Sequence, residues 1–189
     1  MKTLALFDFD GTLYKKDSLL EFTKFAKGFF EFYKGILLLS PYLIGLKLGL
    51  LNNEKVKIRF ITYFFKGLEI EKFNSLAKSF SLEKIDQDLN KKIFLKFKEH
   101  INSNHQVFII TASIPEWIIP WSNQYKVKVI GTKLEIIDSE ITGKFSSKNC
   151  FGGEKVTRLK ELINLNEYDQ IFVYGSGKGD FQLLSLARN

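Results

Sequence analysis

The chain has 189 residues, enough for one compact domain carrying a smaller insertion. Hydrophobic residues make up 45%, including 19 Phe, and only 3 Pro occur, which excludes a disordered chain. The net charge of +7 comes from Lys scattered along the sequence, which argues for solvated helix faces and against a nucleic-acid surface, and a single cysteine, Cys150, excludes an intrachain disulfide or a multi-cysteine metal centre.

Residues 3–7 (TLALF) form a short apolar run that meets Asp8, with Gly11-Thr12 as the following turn. This pattern predicts a buried strand that delivers acids at its C-terminal end. The run is too short for a signal peptide, so the expected location is cytoplasmic.

From about Asp17 to His100 the spacing becomes helical and predicts four or five helices. Leu19, Leu20, Phe22, Phe25 and Ala26 make one stripe, and Val56, Ile58, Ile61, Phe64 and Phe65 make another. Gly67 and Ser79-Phe80-Ser81 are the expected breaks. Gly35 to Leu46 (GILLLSPYLIGL) is uncharged and lies between Lys34 and Lys47. Its 12 residues fall short of the roughly 20 needed to span a bilayer, and Pro41 sits near its centre. A buried or partly exposed helical hairpin is the expectation, with peripheral membrane contact as the competing reading and no transmembrane span.

Strand signals return at Gln106–Ile110 and at Val127–Ile130, and residues 133–145 alternate around Asp138-Ser139 as a hairpin would. A helix is expected from Gly153 to about Ile163, then a last strand, Gln170–Tyr174, and a terminal helix from Phe181 to Ala187. The sum is an α/β chain whose βαβ-type core is split by a helical insertion. Ligands of open parallel sheets bind at strand C-terminal ends. Each polar cluster falls at such an end: Asp8/Asp10, Thr111/Ser113 and Ser176/Asp180.

Two carboxylates two residues apart after a buried strand repel one another unless the chain turns between them, and a hard divalent cation is the usual remedy. With a metal bound, one carboxylate can attack a phosphoryl group while the other handles protons. The bland alternative is a pair of turn or capping aspartates.

Asp8-Phe9-Asp10-Gly11-Thr12-Leu13 resembles the first motif of the haloacid-dehalogenase-like (HAD) hydrolase superfamily, in the phosphoserine-phosphatase-like branch with a helical cap. Three further segments match in order. Phe108-Ile109-Ile110-Thr111, with Ala112-Ser113 after it, is similar to the second motif, an apolar strand ending in a hydroxyl. Lys155 fits the third, a lysine near a helix start. Gly175-Ser176-Gly177-Lys178-Gly179-Asp180 covers the fourth, where the family carries two acids: Asp180 matches one, and Ser176 stands in place of the other.

The resemblance implies a three-layer Rossmann-like parallel sheet core of residues 1–14 and 101–189 and an inserted all-helical cap of residues 15–100. It implies Mg2+ as cofactor, with Asp8, Asp10 (through its carbonyl), Asp180 and Ser176 as the metal set. It implies Asp8 as nucleophile, Asp10 as acid and base, and Thr111, Ala112 and Lys155 holding the phosphoryl oxygens. The activity implied is that of a phosphomonoester phosphatase acting on a small phosphorylated metabolite. The neutral Ser176 keeps a second reading open, a degenerate phosphate-binding or regulatory relative with weakened metal binding.

Asp17 falls where phosphoserine phosphatases place an acid for the substrate amine; an N-cap of a Ser18–Lys27 helix is an equal reading. Lys57 and Arg59 are nearby basic residues that do not align well as partners for a substrate carboxylate, and Arg158 is expected to face outward, with the active site as its alternative. A monomer or a homodimer is equally compatible with the apolar insertion.

Overall fold

The computed structural model describes residues 2–188. In chain order its elements are β1 (Thr3–Phe7), α1 (Ser18–Lys47), α2 (Asn53–Phe65), α3 (Ile70–Lys84), α4 (Lys91–Asn102), β2 (Gln106–Ile110), the single turn α5 (Ile119–Ser122), β3 (Lys128–Ile130), β4 (Leu134–Ile137), β5 (Glu140–Phe145), α6 (Gly153–Leu162), β6 (Gln170–Tyr174) and α7 (Phe181–Leu184).

All five residues of β1 are buried, because the strand is flanked by parallel neighbours and covered on both faces. The sheet order is β3-β2-β1-β6, with Leu6 opposite both Phe108 and Val173. Alternate side chains divide between two cores. Ala5, Phe7, Val107 and Ile109 join the cluster that contains Phe97 of α4, whereas Leu4, Leu6, Phe108 and Ile110 pack with Leu159 of α6 and Leu183 of α7. Helix, sheet and helix thus form the three layers expected, with α1–α3 inserted as a helical cap.

The cap is held by aromatic packing. The Phe22 ring stacks on Trp117 at 4.7 Å and meets Phe65, Phe73 and Phe80 at 5.5, 5.2 and 5.7 Å. Trp117 follows β2, so this cluster ties three cap helices to the core. Burying each such ring contributes about 1.5–3 kcal/mol, and favourable ring pairs add about 0.5–1.5 kcal/mol each.

Three expectations are corrected. Residues 35–46 do not form a hairpin. The break in α1 falls earlier, at Gly28 (φ 78°), and one continuous segment then runs through Pro41 to Lys47. Packing overrides the proline: Phe32 and Leu39 are buried, with Phe32 stacked near Phe64 at 6.3 Å. Proline lacks the N–H that would bond the Leu37 carbonyl, and Ser40 Oγ donates to that carbonyl instead, at 2.7 Å. Second, α3 runs unbroken through Ser79–Ser81, because buried Ser81 uses its hydroxyl to accept from Trp121 N at 2.9 Å. Third, α7 stops at Leu184 because the chain leaves the helix to pair Arg188 with Ile171 of β6.

The expected hairpin is β4 and β5, turning at Asp138 and Ser139 (φ 50° and 65°). It supports the cap. Ser139 O accepts from Ile70 N at 2.8 Å, and Ile141 exchanges backbone bonds with Gly67 and Leu68 at 2.9 and 3.0 Å. Gly143 (φ 88°) lies against α2 so closely that a Cβ there would stand 2.7 Å from the Thr62 Cα.

Candidate active site

β1 and β6 end side by side, with Phe7 opposite Tyr174, and Asp8 N still donates to the Tyr174 carbonyl at 2.8 Å. The chain then turns, Tyr14 N donating back to Phe9 O at 2.9 Å. Asp8 is left facing inward, only 6% exposed. Its Oδ1 lies 2.6 Å from Lys155 Nζ, and the same ammonium lies 2.6 Å from Asp180 Oδ1. One cation is therefore shared by two carboxylates. Burial pushes the Asp8 carboxyl above the usual carboxylate range, the Lys155 charge works against that rise, and Asp180 adds to it. Burial alone favours a neutral Lys155, but Asp8 and Asp180 outweigh it and lift the lysine's pKa.

Each partner is oriented by its backbone. Lys155 comes from the first turn of α6, which starts just after Gly152. Asp180 Oδ2 accepts from Ser176 N and Gly177 N at 3.1 and 2.9 Å, so its carboxylate ties down the loop that follows β6. The Thr12 hydroxyl donates to Asp8 Oδ2 at 3.0 Å and lies 3.1 Å from Ser176 Oγ. Ser176 Oγ donates in turn to the Gly11 carbonyl at 3.1 Å, and Ser176 is exposed. Lys178 is also exposed. Among the described residues no three His, Cys, Asp or Glu side chains converge as a metal cage.

Asp10 sits in a second polar cluster. Its Oδ2 accepts from Ser113 Oγ at 2.5 Å and its Oδ1 from Ser18 N at 2.8 Å. Behind it, Trp117 Nε1 donates to Ser18 Oγ at 2.9 Å, and Ser18 Oγ donates to Ser113 Oγ at 3.0 Å. Burial, and then the charge of Asp17, raise the Asp10 pKa to about 7, while the bonds from Ser113 and Ser18 oppose the rise. The chain does turn between Asp8 and Asp10, the condition under which the two acids need not repel one another. The turn separates them, so Asp8 answers to Lys155 and Asp180, and Asp10 to Asp17.

The end of β2 supplies the third group. Thr111 is buried and its hydroxyl accepts from Ser113 N at 3.0 Å. Ala112 O accepts from Thr132 Oγ1 at 2.7 Å and from Lys57 Nζ at 2.9 Å. Lys57 also reaches Asn149 Oδ1 at 3.3 Å, and burial lowers its pKa while Asp10 and Asp17 oppose. Lys57 is thus a cap residue docked on the core, whereas Arg59 turns outward to Tyr42 Oη at 3.0 Å. Asp17 is exposed and caps α1, accepting from Leu20 N at 3.1 Å. Arg158 does not face outward. It donates to Glu154 Oε1 at 3.0 Å and to the carbonyls of Gly131 and Lys148.

The family model described as haloacid dehalogenase-like hydrolase matches residues 5–185. This chain belongs to the haloacid dehalogenase-like hydrolase family. It is 30% identical over 186 residues to Protein CicA of Caulobacter vibrioides, covering 97% of this chain and 82% of that protein. Two solved structures resemble this HAD hydrolase in fold. A protein of unknown function from Bordetella pertussis Tohama I superposes with a TM-score of 0.84 at 20% identity, covering 99% of this chain and 87% of that one. A substrate-bound phosphoserine phosphatase superposes with a TM-score of 0.70 at 19% identity, covering 99% of this chain and 83% of that one. The sequence resemblance to the phosphoserine-phosphatase-like branch therefore holds at the level of fold, helical cap included.

Four residues of this HAD hydrolase's polar site escaped sequence reasoning. Thr12 stands in the first motif and Ser18 at a helix start without a role assigned to either, and Thr132 and Asn149 belong to no motif. Lys57 is visible in the sequence beside Arg59, but its target, a carbonyl far along the chain, is not.

Proposed function

We propose that this HAD hydrolase is a magnesium-dependent phosphomonoester phosphatase that acts on a small phosphorylated metabolite through an aspartyl-phosphate at Asp8. The observation that carries this reading is the buried Asp8–Lys155–Asp180 ion cluster. Lys155 holds Asp8 Oδ1, which leaves Oδ2, bonded to the Thr12 hydroxyl, as the oxygen for in-line attack.

In the first step Asp8 Oδ2 bonds to phosphorus as the bond to the substrate alcohol breaks, and Asp10 gives its proton to the departing oxygen. In the second, Asp10 takes a proton from water, which attacks the phosphorus and frees Asp8 and inorganic phosphate. A pKa of about 7 suits a group that must both give and accept a proton near neutral pH. We assign Thr111, Ala112 and Lys155 to the phosphoryl oxygens, where Lys155 would offset charge growing in transfer. We take residues 1–14 and 101–189 as the catalytic core and 15–100 as the insertion, in which α1–α3 form the cap that reads the leaving group and α4 packs on the core sheet.

The donors present are hard oxygens and fit a magnesium ion: an Asp8 carboxylate oxygen, the Asp10 carbonyl, the Ser176 hydroxyl and Asp180. Bound there, the ion would neutralise charge on the transferring phosphoryl group. Asp180 is already engaged by Lys155 and two backbone N–H groups, so the set favours weak binding.

A second reading rests on the exposed, neutral Ser176: a protein of the same fold that binds phosphate without efficient turnover. Phosphate release from p-nitrophenyl phosphate and a phosphometabolite panel, with and without magnesium, separates the two. We expect magnesium-dependent release that Asp8→Asn lowers at least about 1,000-fold with the fold intact by circular dichroism. Activity retained in that variant would sink the assignment; no activity in the wild type on any substrate would favour the binding protein.

A further inference from the structure

After the break at Gly28, the second segment of α1 (residues 29–47) is apolar on both sides. One side buries Phe32 and Leu39 against α2. The opposite side carries Phe30, Tyr33, Leu37, Pro41, Ile44 and Leu48, at the three-to-four-residue spacing that aligns side chains on one helix face. That face is open to solvent: Phe30 is 83% exposed, Leu37 74% and Leu48 67%. A row of this length, about 28 Å at 1.5 Å per residue, is the kind of contiguous apolar surface that soluble proteins seldom leave bare.

The charge around the row selects its partner. Helices α1 and α2 together contain seven Lys or Arg against three Glu, a net of +4 in a chain whose total is +7. More than half of the chain's net charge therefore sits on the same helix pair as the exposed apolar row. Lys34 and Lys47 are exposed beside the row, and the Lys24 ammonium lies 5.8 Å from the rings of both Phe29 and Tyr33. Two identical copies would bring this basic surface against itself, whereas an anionic membrane complements it. An apolar face bordered by lysines is the pattern of a helix that lies in the lipid interface.

We propose that the outward face of residues 29–48 docks in the plane of an anionic lipid surface. By length and composition α1 could cross a membrane, but its packed side is committed to α2, so the geometry is that of a helix lying on the bilayer. Docking this way leaves Lys57, on the neighbouring helix, in place on the core.

The test is co-sedimentation of the full chain with vesicles of phosphatidylcholine alone or containing about 30% phosphatidylserine. The wild type is expected to pellet with the anionic vesicles, to bind neutral ones at least about 10-fold more weakly, and to be released by high salt. Phe30→Glu with Leu37→Glu, both at exposed positions, should lower partitioning about 100-fold or more while leaving the circular dichroism spectrum and melting temperature unchanged. Three results would overturn the proposal: equal pelleting of wild type and double variant; no pelleting together with a dimer, by sedimentation velocity, that the double variant abolishes; or wild-type protein that resists alkaline carbonate extraction and so spans the bilayer.

Discussion

The ends of β1 and β6 are neighbours in one sheet, yet they are built differently. At the end of β1 the acid is buried, bonded through both carboxylate oxygens and tied to a lysine that a distant helix supplies. At the end of β6 the first polar side chain is that of Ser176, neutral and exposed, bonded to the Gly11 carbonyl, to Asp180 through its backbone N–H and to the Thr12 hydroxyl, with no charged partner for its side chain among the described residues. The contrast teaches that charge stabilisation at the first strand is a property of the fold, present with or without a ligand. At the second, under the proposed function, cation binding would be left to weak donors. The proposed function thus predicts that acid chemistry and metal affinity are separable.

Lys155→Met breaks the first half of the contrast and carries the largest expected effect. It leaves Asp8 and Asp180 buried without their shared cation, and removing one partner of a buried ion cluster costs about 3–5 kcal/mol. Urea unfolding measures it; a loss under about 1 kcal/mol would show that the cluster is not held by the lysine.

Ser176→Asp tests the second half by restoring a carboxylate. Magnesium affinity should tighten on the order of 10-fold by calorimetry, since ligand charge sets affinity for hard cations. Unchanged affinity would remove Ser176 from the metal site.

A third test sharpens the separation of the two acids. A carboxyl whose folded pKa is raised to about 7 holds its proton in the folded state while the unfolded chain has lost it. Its contribution to stability is full below the unfolded value near 3.8 and is lost as pH rises toward 7. In chelator-treated protein the melting temperature of the wild type should therefore fall between about pH 5 and pH 8 more than that of Asp10→Asn. Parallel curves would mean that Asp10 is not desolvated as its surroundings imply.

Much of the core was legible in the sequence because its signals are local. TLALF and QVFII read as strands from their apolar runs, Asp138-Ser139 read as a turn, and Asp8, Lys155 and Asp180 fell at strand or helix ends where a single motif marks each. What failed depended on contacts between distant segments. Pro41 is tolerated because Ser40 caps the orphaned Leu37 carbonyl and Phe32 packs on α2; Ser81 stays helical because it serves Trp121; Arg158 turns inward to carbonyls at 131 and 148. Asp17 shows the middle case, where helix capping and ligand binding call for the same residue and only geometry reveals the cap.

Gly143 marks where this architecture can be recombined. Because α2 rests on the β4–β5 hairpin with no room for a side chain, and the hairpin turn holds the start of α3, the helices and the hairpin form one mechanical piece although residues 85–133 separate them in sequence. Grafting another hydrolase's cap onto this core by exchanging the contiguous insertion alone would set foreign helices on a mismatched pedestal. The transferable module is discontinuous: the cap helices together with residues 134–145.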